Sequence, residues 1–335
     1  MSQGARNAAF VVALAAVIAV LAYGLSRRTS GSRDLLSSAP RRAIVLAELD
    51  VPPLRRSSLF RELVGESDAG LDRIESTCGF DPLDQLRTLQ IFVLRAEDEE
   101  EGEAGFDQVA FLARGALEHE QLARCVSQVV EGDGGGVHPT TLEGVDAIAS
   151  DHGSSVAAFL GTDAVVAGDD TVVAELIRIQ QGAADPHARD DSLMRLLRRA
   201  GPSSHVRLVA LLPRHWQRFL GRLTDVVGDD VPLDRARALG LGASLDDGLA
   251  ISLTLDLGDA HMASDAQHAL ETRIAEARRD PDLAASVLAV TLAHVDVEAA
   301  STDLTVSASL DRPELDATIA LARRYLAREA SSPTE

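Results

Sequence analysis

Hydrophobic and polar positions alternate in several short runs, and longer helical periods separate them. Ala43–Ala47 and Val206–Leu212 are rich in branched residues and predict strands with buried faces. Each runs into a helix entered through Pro, near Leu54–Val64 and near Arg214–Val227. Pro costs little there, because the first helical amide has no partner. Strand pairs follow at Leu89–Leu94 with Val109–Ala113, and at Leu239–Leu245 with Leu249–Leu257. Asp246-Asp247-Gly248 joins the second pair as a tight hairpin signal. Helical periods then cover Glu118–Val130 and Ala260–Arg278. Both runs close alike. Val156–Leu160 and Ala164–Ala167 precede a helix near Val172–Gln180, and Val295–Ala300 and Leu304–Leu310 precede one near Pro313–Ala327.

This order of elements describes one unit written twice. Pro82-Leu83-Asp84-Gln85-Leu86-Arg87-Thr88-Leu89 returns as Pro232-Leu233-Asp234-Arg235-Ala236-Arg237-Ala238-Leu239, 150 residues later. Thr162-Asp163 and Thr302-Asp303 occupy the same turn in the two copies. The expected fold class is α+β, each unit an antiparallel sheet with helices packed on one face. The units span 43–182 and 205–328, set side by side or sharing one sheet, and 329–335 form a disordered tail. The segment 183–204 connects them, with Pro186, Gly201 and Pro202 around a short helical run.

The leading stretch breaks this pattern. After a short n-region, 1–7, residues 8–25 read AAFVVALAAVIAVLAYGL, with no charge and no polar face. As a helix they would rise about 27 Å, close to the hydrocarbon thickness of a bilayer. They are read as a transmembrane signal anchor, the lipid bilayer being their partner. The alternative is a signal peptide cleaved near Ala22 and Gly24. Residues 26–42, rich in Ser, Gly and Arg, read as a flexible basic stem. Arg counts around the span favour a cytoplasmic body. The export-like arrangement and the cysteine usage favour a periplasmic one at the bacterial inner membrane, which is the orientation expected here.

Composition narrows the chemistry. The chain has 335 residues and a formal net charge of −20. Six of its Arg and only one acid fall in the first 42 residues, so the body is more acidic still. Such a surface repels phosphate backbones, and no nucleic-acid partner is expected. All 32 cationic side chains are Arg. A chain without Lys cannot form a Walker A loop, a Schiff base or a Ser-Lys dyad.

Candidate sites are few. Cys78 and Cys125 are the two cysteines. In an exported chain they suggest a disulfide, and in a cytosolic one two buried thiols. His261, Asp265 and His268 share one helix face and read as a solvent-facing stripe before a metal site. Asp151, His152, Ser154 and Ser155 have hydrolase letters but no nucleophile elbow, and read as neighbours in a turn. The acidic run Glu97–Glu103 reads as a solvated loop, and Gly132–Gly136 as a helix stop. No catalytic residue, metal ligand or cofactor is assigned.

Several of these features together resemble a family of exported, membrane-anchored bacterial proteins to which no activity is attached. They are the anchor, the strand ending in Leu49-Asp50-Val51, the block Cys78-Gly79-Phe80-Asp81-Pro82, the later Cys125 on a helix, and the hairpin Phe159-Leu160-Gly161-Thr162-Asp163. The resemblance covers most of the first unit and, loosely, the second. It implies an envelope location and a Cys78–Cys125 disulfide, and no reaction. The function expected is a membrane-tethered extracytoplasmic binding or scaffolding protein with a possible protein partner at the envelope. The alternative is an envelope hydrolase with a dispersed site.

Overall fold

The computed structural model describes residues 32–57, 71–94, 108–132, 135–151, 154–186, 191–201, 204–214, 217, 232–245, 248–279, 292–317 and 320. Among them no helix is long and apolar enough to cross a membrane, and the apolar stretch 8–25 lies outside them. The acidic run 97–103, His152 and most of the two Pro-entered helices also lie outside.

Among the described residues twelve strands form one antiparallel sheet. The first seven are β1 (Ala43–Asp50), β2 (Leu86–Leu94), β3 (Gln108–Gly115), β4 (Val137–Leu142), β5 (Val145–Ser150), β6 (Ser155–Leu160) and β7 (Ala164–Asp169). The other five are β8 (Val206–Leu211), β9 (Ala238–Ser244), β10 (Gly248–Asp256), β11 (Val295–Ala300) and β12 (Asp303–Asp311). Their order across the sheet is β11-β12-β10-β9-β8-β1-β2-β3-β7-β6-β5-β4. The fold is therefore α+β with a large antiparallel sheet.

Reading outward from the middle, β1-β2-β3-β7-β6 and β8-β9-β10-β12-β11 follow the same connectivity. The two PLD segments form matching 3-10 turns, Pro82–Asp84 and Leu233–Arg235, each just before its strand. The two Thr-Asp turns also match, and both start in the left-handed region, at Gly161 (φ 62°) and Ser301 (φ 59°). Between the two alternatives left open above, the sheet is continuous. β1 and β8 pair antiparallel, from Val45 opposite Ala210 to Leu49 opposite Val206.

Helices cover the sheet on both faces, which corrects the expectation of one. The helices are α1 (Ser32–Ser38), α2 (Val51–Arg56), α3 (Leu71–Cys78), α4 (His119–Gly132), α5 (Asp170–Gln180), α6 (Asp191–Arg199) and α7 (Ala260–Arg279). Alternation along β9 separates the faces. Ala238 belongs to the core cluster that holds buried residues of α1, α5 and α6, whereas Leu239 packs against the cluster of Ala263 and Ala266 on α7. The physical reason lies in the middle strands. In β1, Leu46 faces the first cluster while Val45, Ala47 and Leu49 face a second with Ile91, Val93, Val206 and Leu208. A strand apolar on both sides needs cover on both sides.

Two segments read as connectors belong to this core. In the stem, α1 buries Leu35 and Leu36 completely, so residues 32–42 are part of the fold and not a flexible tether. In the segment 183–204, α6 buries Leu193, Leu196 and Leu197. Its opposite edge carries Arg195 and Arg199, which reach Asp303 at 2.9 and 3.0 Å, and Arg195 also reaches Asp256 at 2.9 Å. The helix is thus held by apolar burial and by charge-assisted bonds together.

Close approach of α6 depends on glycine. A Cβ on Gly242 would stand 1.7 Å from the Ala200 carbonyl oxygen and 2.6 Å from Ser204 Oγ. Gly242→Ala should force the α6–β8 turn off the sheet and cost about 1–3 kcal/mol, measured by thermal or urea unfolding. Unchanged stability would show that this contact is not close.

Candidate functional site

The Cys78–Cys125 disulfide is present. It joins the last residue of α3 to the middle of α4, with Cα atoms 4.6 Å apart across a sequence separation of 47. The start of α4 is pinned separately. The Glu118 amide donates to Gln85 Oε1 at 3.1 Å, and Gln85 Nε2 donates to Gln121 Oε1 at 3.0 Å. Gln85 sits just after the first PLD turn, so the repeated motif of that copy positions the helix.

Between the first turns of α4 and the ends of β5 and β6 lies a cleft of about 530 Å³. Its walls are His119, Glu120 and Ala123 of α4, and the turn residues Gly144 and Gly161 with Val145; Asp146 and Phe159 complete it. The rim is shaped by tight turns. Glu143 (φ 49°) and Gly144 (φ 76°) both take positive φ in a two-residue connection, the geometry whose twist suits a hairpin. The His119 and Phe159 rings pack with centroids 4.8 Å apart. His119 Nε2 is buried and has no hydrogen-bond partner among the described residues. The Glu120 and Asp146 carboxylates are exposed and bond to no described residue.

A second polar group lies inside the sheet. Glu48 on β1 stands opposite Gln90 on β2 and opposite Arg207 on β8. Gln90 Nε2 donates to Glu48 Oε2 at 2.8 Å, and the Arg207 guanidinium pairs with Glu48 Oε1. All three are more than nine-tenths buried. Asp50, two residues along the same face of β1, is pushed up to about 6 by burial first and by the Glu48 charge second, against Arg56 and Arg207. Nearby, His205 is buried and driven down to about 2 by desolvation, and its Nδ1 accepts from the Leu245 amide.

The other sequence candidates do not converge. His261, Asp265 and His268 lie on the exposed side of α7, where the His268 ring donates to the Ser264 carbonyl at 2.8 Å. Asp151 bonds His138 at 2.8 Å, while Ser154 Oγ donates to Asp169 Oδ2 at 2.6 Å. Asp169 caps α5 through the Thr171 amide. Its burial opposes ionisation, yet the bonds from Ser154 and Thr171 outweigh that and hold it below the usual carboxylate range. Ser154 is therefore engaged in a helix cap, and β5 separates it in sequence from His138, the partner of Asp151. Sequence reasoning missed both the cleft and the Glu48–Arg207 row. The written hint of the row is the charge that interrupts two otherwise apolar strands, Glu48 and Asp50 in β1 and Arg207 in β8.

Comparison with known proteins places the fold and no more. No family model and no curated protein matches the chain. Among solved structures, crystal form III of TP0453 aligns over 85% of this chain and 96% of that one, at 12% identity and a TM-score of 0.50. Crystal forms I and IV of TP0453 align at 11% and 12% identity, each with a TM-score of 0.49 and over 87% of this chain, covering 98% and 99% of theirs. At 12% identity the likeness to crystal form III is one of architecture.

The raised Asp50 value gives a signed prediction. Between about pH 4 and pH 6 the folded state holds a proton that the unfolded chain has lost, so stability falls as pH rises through this window. Asp50→Asn should flatten that fall and be more stable than the parent at pH 7 by about 1 kcal/mol, after allowance for solvent screening. Urea unfolding at pH 4.5 and pH 7 (roughly the two sides of the window) reads the difference. Parallel pH profiles would refute the assignment.

Proposed function

We propose that this chain is a binding or scaffolding protein tethered at the bacterial envelope, with its sheet domain on the periplasmic side of the inner membrane. Residues 8–25 supply the anchor and the bilayer is their partner. The cleft beside α4 is where the domain takes its ligand.

The observation that carries this reading is the disulfide between Cys78 and Cys125. Structural disulfides persist in oxidising compartments, and no other segment of the chain offers an address besides the uncharged run 8–25. The cleft supports the binding role, because it gathers unpaired polar groups around an aromatic ring within a small concave space. The shared connectivity of the two sheet halves supports reading 43–182 and 205–328 as two related units. The family resemblance stated from the sequence points the same way on location.

Location and redox state are tested together. A C-terminal alkaline phosphatase fusion should be active, since that enzyme needs an oxidising space. Peptide mapping of native membranes without reductant should recover Cys78 joined to Cys125. A fusion active only as a cytosolic reporter, or free thiols in native material, would overturn the proposal. Cys125→Ser should also lower the unfolding free energy by about 2–4 kcal/mol under oxidising conditions, with no effect when reductant is present throughout.

A further inference from the structure

We infer that the cleft beside α4 binds an organic cation, a ligand carrying an ammonium or guanidinium group on an apolar stem. This inference rests on reading that cleft as the ligand site and names what fits it.

The charges facing the cleft decide the sign. Glu120 enters from α4 and Asp146 from β5, and neither is neutralised by a described residue. No Arg among the described residues lines the cleft. The N-terminus of α4 contributes roughly half a positive charge, against two full negative ones, so an anion is disfavoured and a cation attracted. The chain's overall charge of −20 adds to that field at long range.

The remaining groups fit such a ligand's shape. Phe159 offers an aromatic surface, on which a cation is stabilised by the ring quadrupole. Ala123 and Val145 offer short apolar contacts for a stem. His119 Nε2 is buried without a partner against the same ring. An imidazole nitrogen that carries no proton accepts a hydrogen bond from an N–H donor, which an ammonium or guanidinium supplies. A buried acceptor left unbonded costs free energy, and ligand binding would recover it.

A free diamine and a basic side chain of a peptide share this chemistry. Two probes separate them: 1,5-diaminopentane and the blocked tripeptide acetyl-Gly-Arg-Gly-amide. Each is titrated into the full-length chain in detergent by calorimetry, while the Phe159 ring is followed by NMR. At least one probe should bind with a Kd near or below about 1 mM and move the Phe159 resonances. Raising salt should weaken it, as should Glu120→Gln with Asp146→Asn, by roughly tenfold. Phe159→Leu should weaken it severalfold. Asp234→Asn, an exposed acid on the second PLD turn, should leave it unchanged. Binding that ignores the double variant, or no binding of either probe, overturns the inference. Inorganic phosphate or a neutral apolar probe moving Phe159 in place of the cations would also overturn it, yet would leave the cleft standing as a ligand site.

Discussion

The structure depends on one pairing, that of β1 with β8. It joins a run of seven strands and a run of five into a single sheet, and it turns what would be two open edges into a buried seam. Along it, Val45 to Leu49 meet Val206 to Ala210 with nearly every residue buried. An unpaired strand of this kind would be an adhesive edge. The Glu48–Arg207 pair sits in this seam with Gln90 behind it. Burying two charges costs several kcal/mol before their attraction is counted, so the pair adds little net stability. Its effect is on register. A slip of β1 by one residue would turn Glu48 into the opposite, apolar cluster and take its carboxylate away from Arg207.

A seam apolar on both sides sets the rest of the architecture. Each face must be covered, and the chain covers one of them with helices that precede the two central strands, α1 before β1 and α6 before β8. Leu35 and Leu36 in the first have their counterpart in Leu196 and Leu197 in the second, all essentially without exposure. The second helix has an additional hold. Arg195 and Arg199 lie over Asp256 and Asp303 on β10 and β12, so the crossing between the halves is tied to the outer strands of the second. Asp303 is fully buried, and its charge is acceptable there because two guanidinium groups bond it.

What could be read beforehand follows from this. The strands with branched apolar runs, β1, β2, β8 and β12, were legible, and so were α4, α5 and α7, whose periods are long. The shared connectivity of the two sheet halves has a counterpart in the sequence, in Pro82-Leu83-Asp84 and Pro232-Leu233-Asp234. The two covering helices were hidden, because α1 and α6 are short and sit among Ser, Arg and Pro, which reads as a linker. Strands β4 and β5 were hidden for a different reason. Pro139, Thr140 and Thr141 form the outermost strand, where half the backbone faces solvent and no apolar alternation is required. The cleft was illegible because its groups come from three places in the chain, at 119–123, 144–146 and 159–161. The disulfide partner on the same helix and the hairpin at Phe159–Asp163 had sequence signals, but none tied them to a cleft.

That last coincidence has an energetic basis. Helix α5 is held down by Val172, Val173, Leu176 and Ile177, all fully buried, at about 1.5–3 kcal/mol each. Helix α4 buries only Cys125 to that degree, while its other described side chains stay partly or wholly exposed. Its apolar anchorage is therefore weak, and a wall of the cleft is made of a helix that packing alone would hold loosely. The crosslink to α3 closes a loop whose restriction contributes about 4 kcal/mol in the chain-entropy picture, comparable to two buried side chains of α5. Gln85, bonded to both Glu118 and Gln121, fixes the helix start against the PLD turn. The position of His119 against Phe159 thus rests on a covalent bond and two amide contacts. A helix held this way keeps its polar groups at the surface, free for a ligand, because it does not need to turn apolar ones inward.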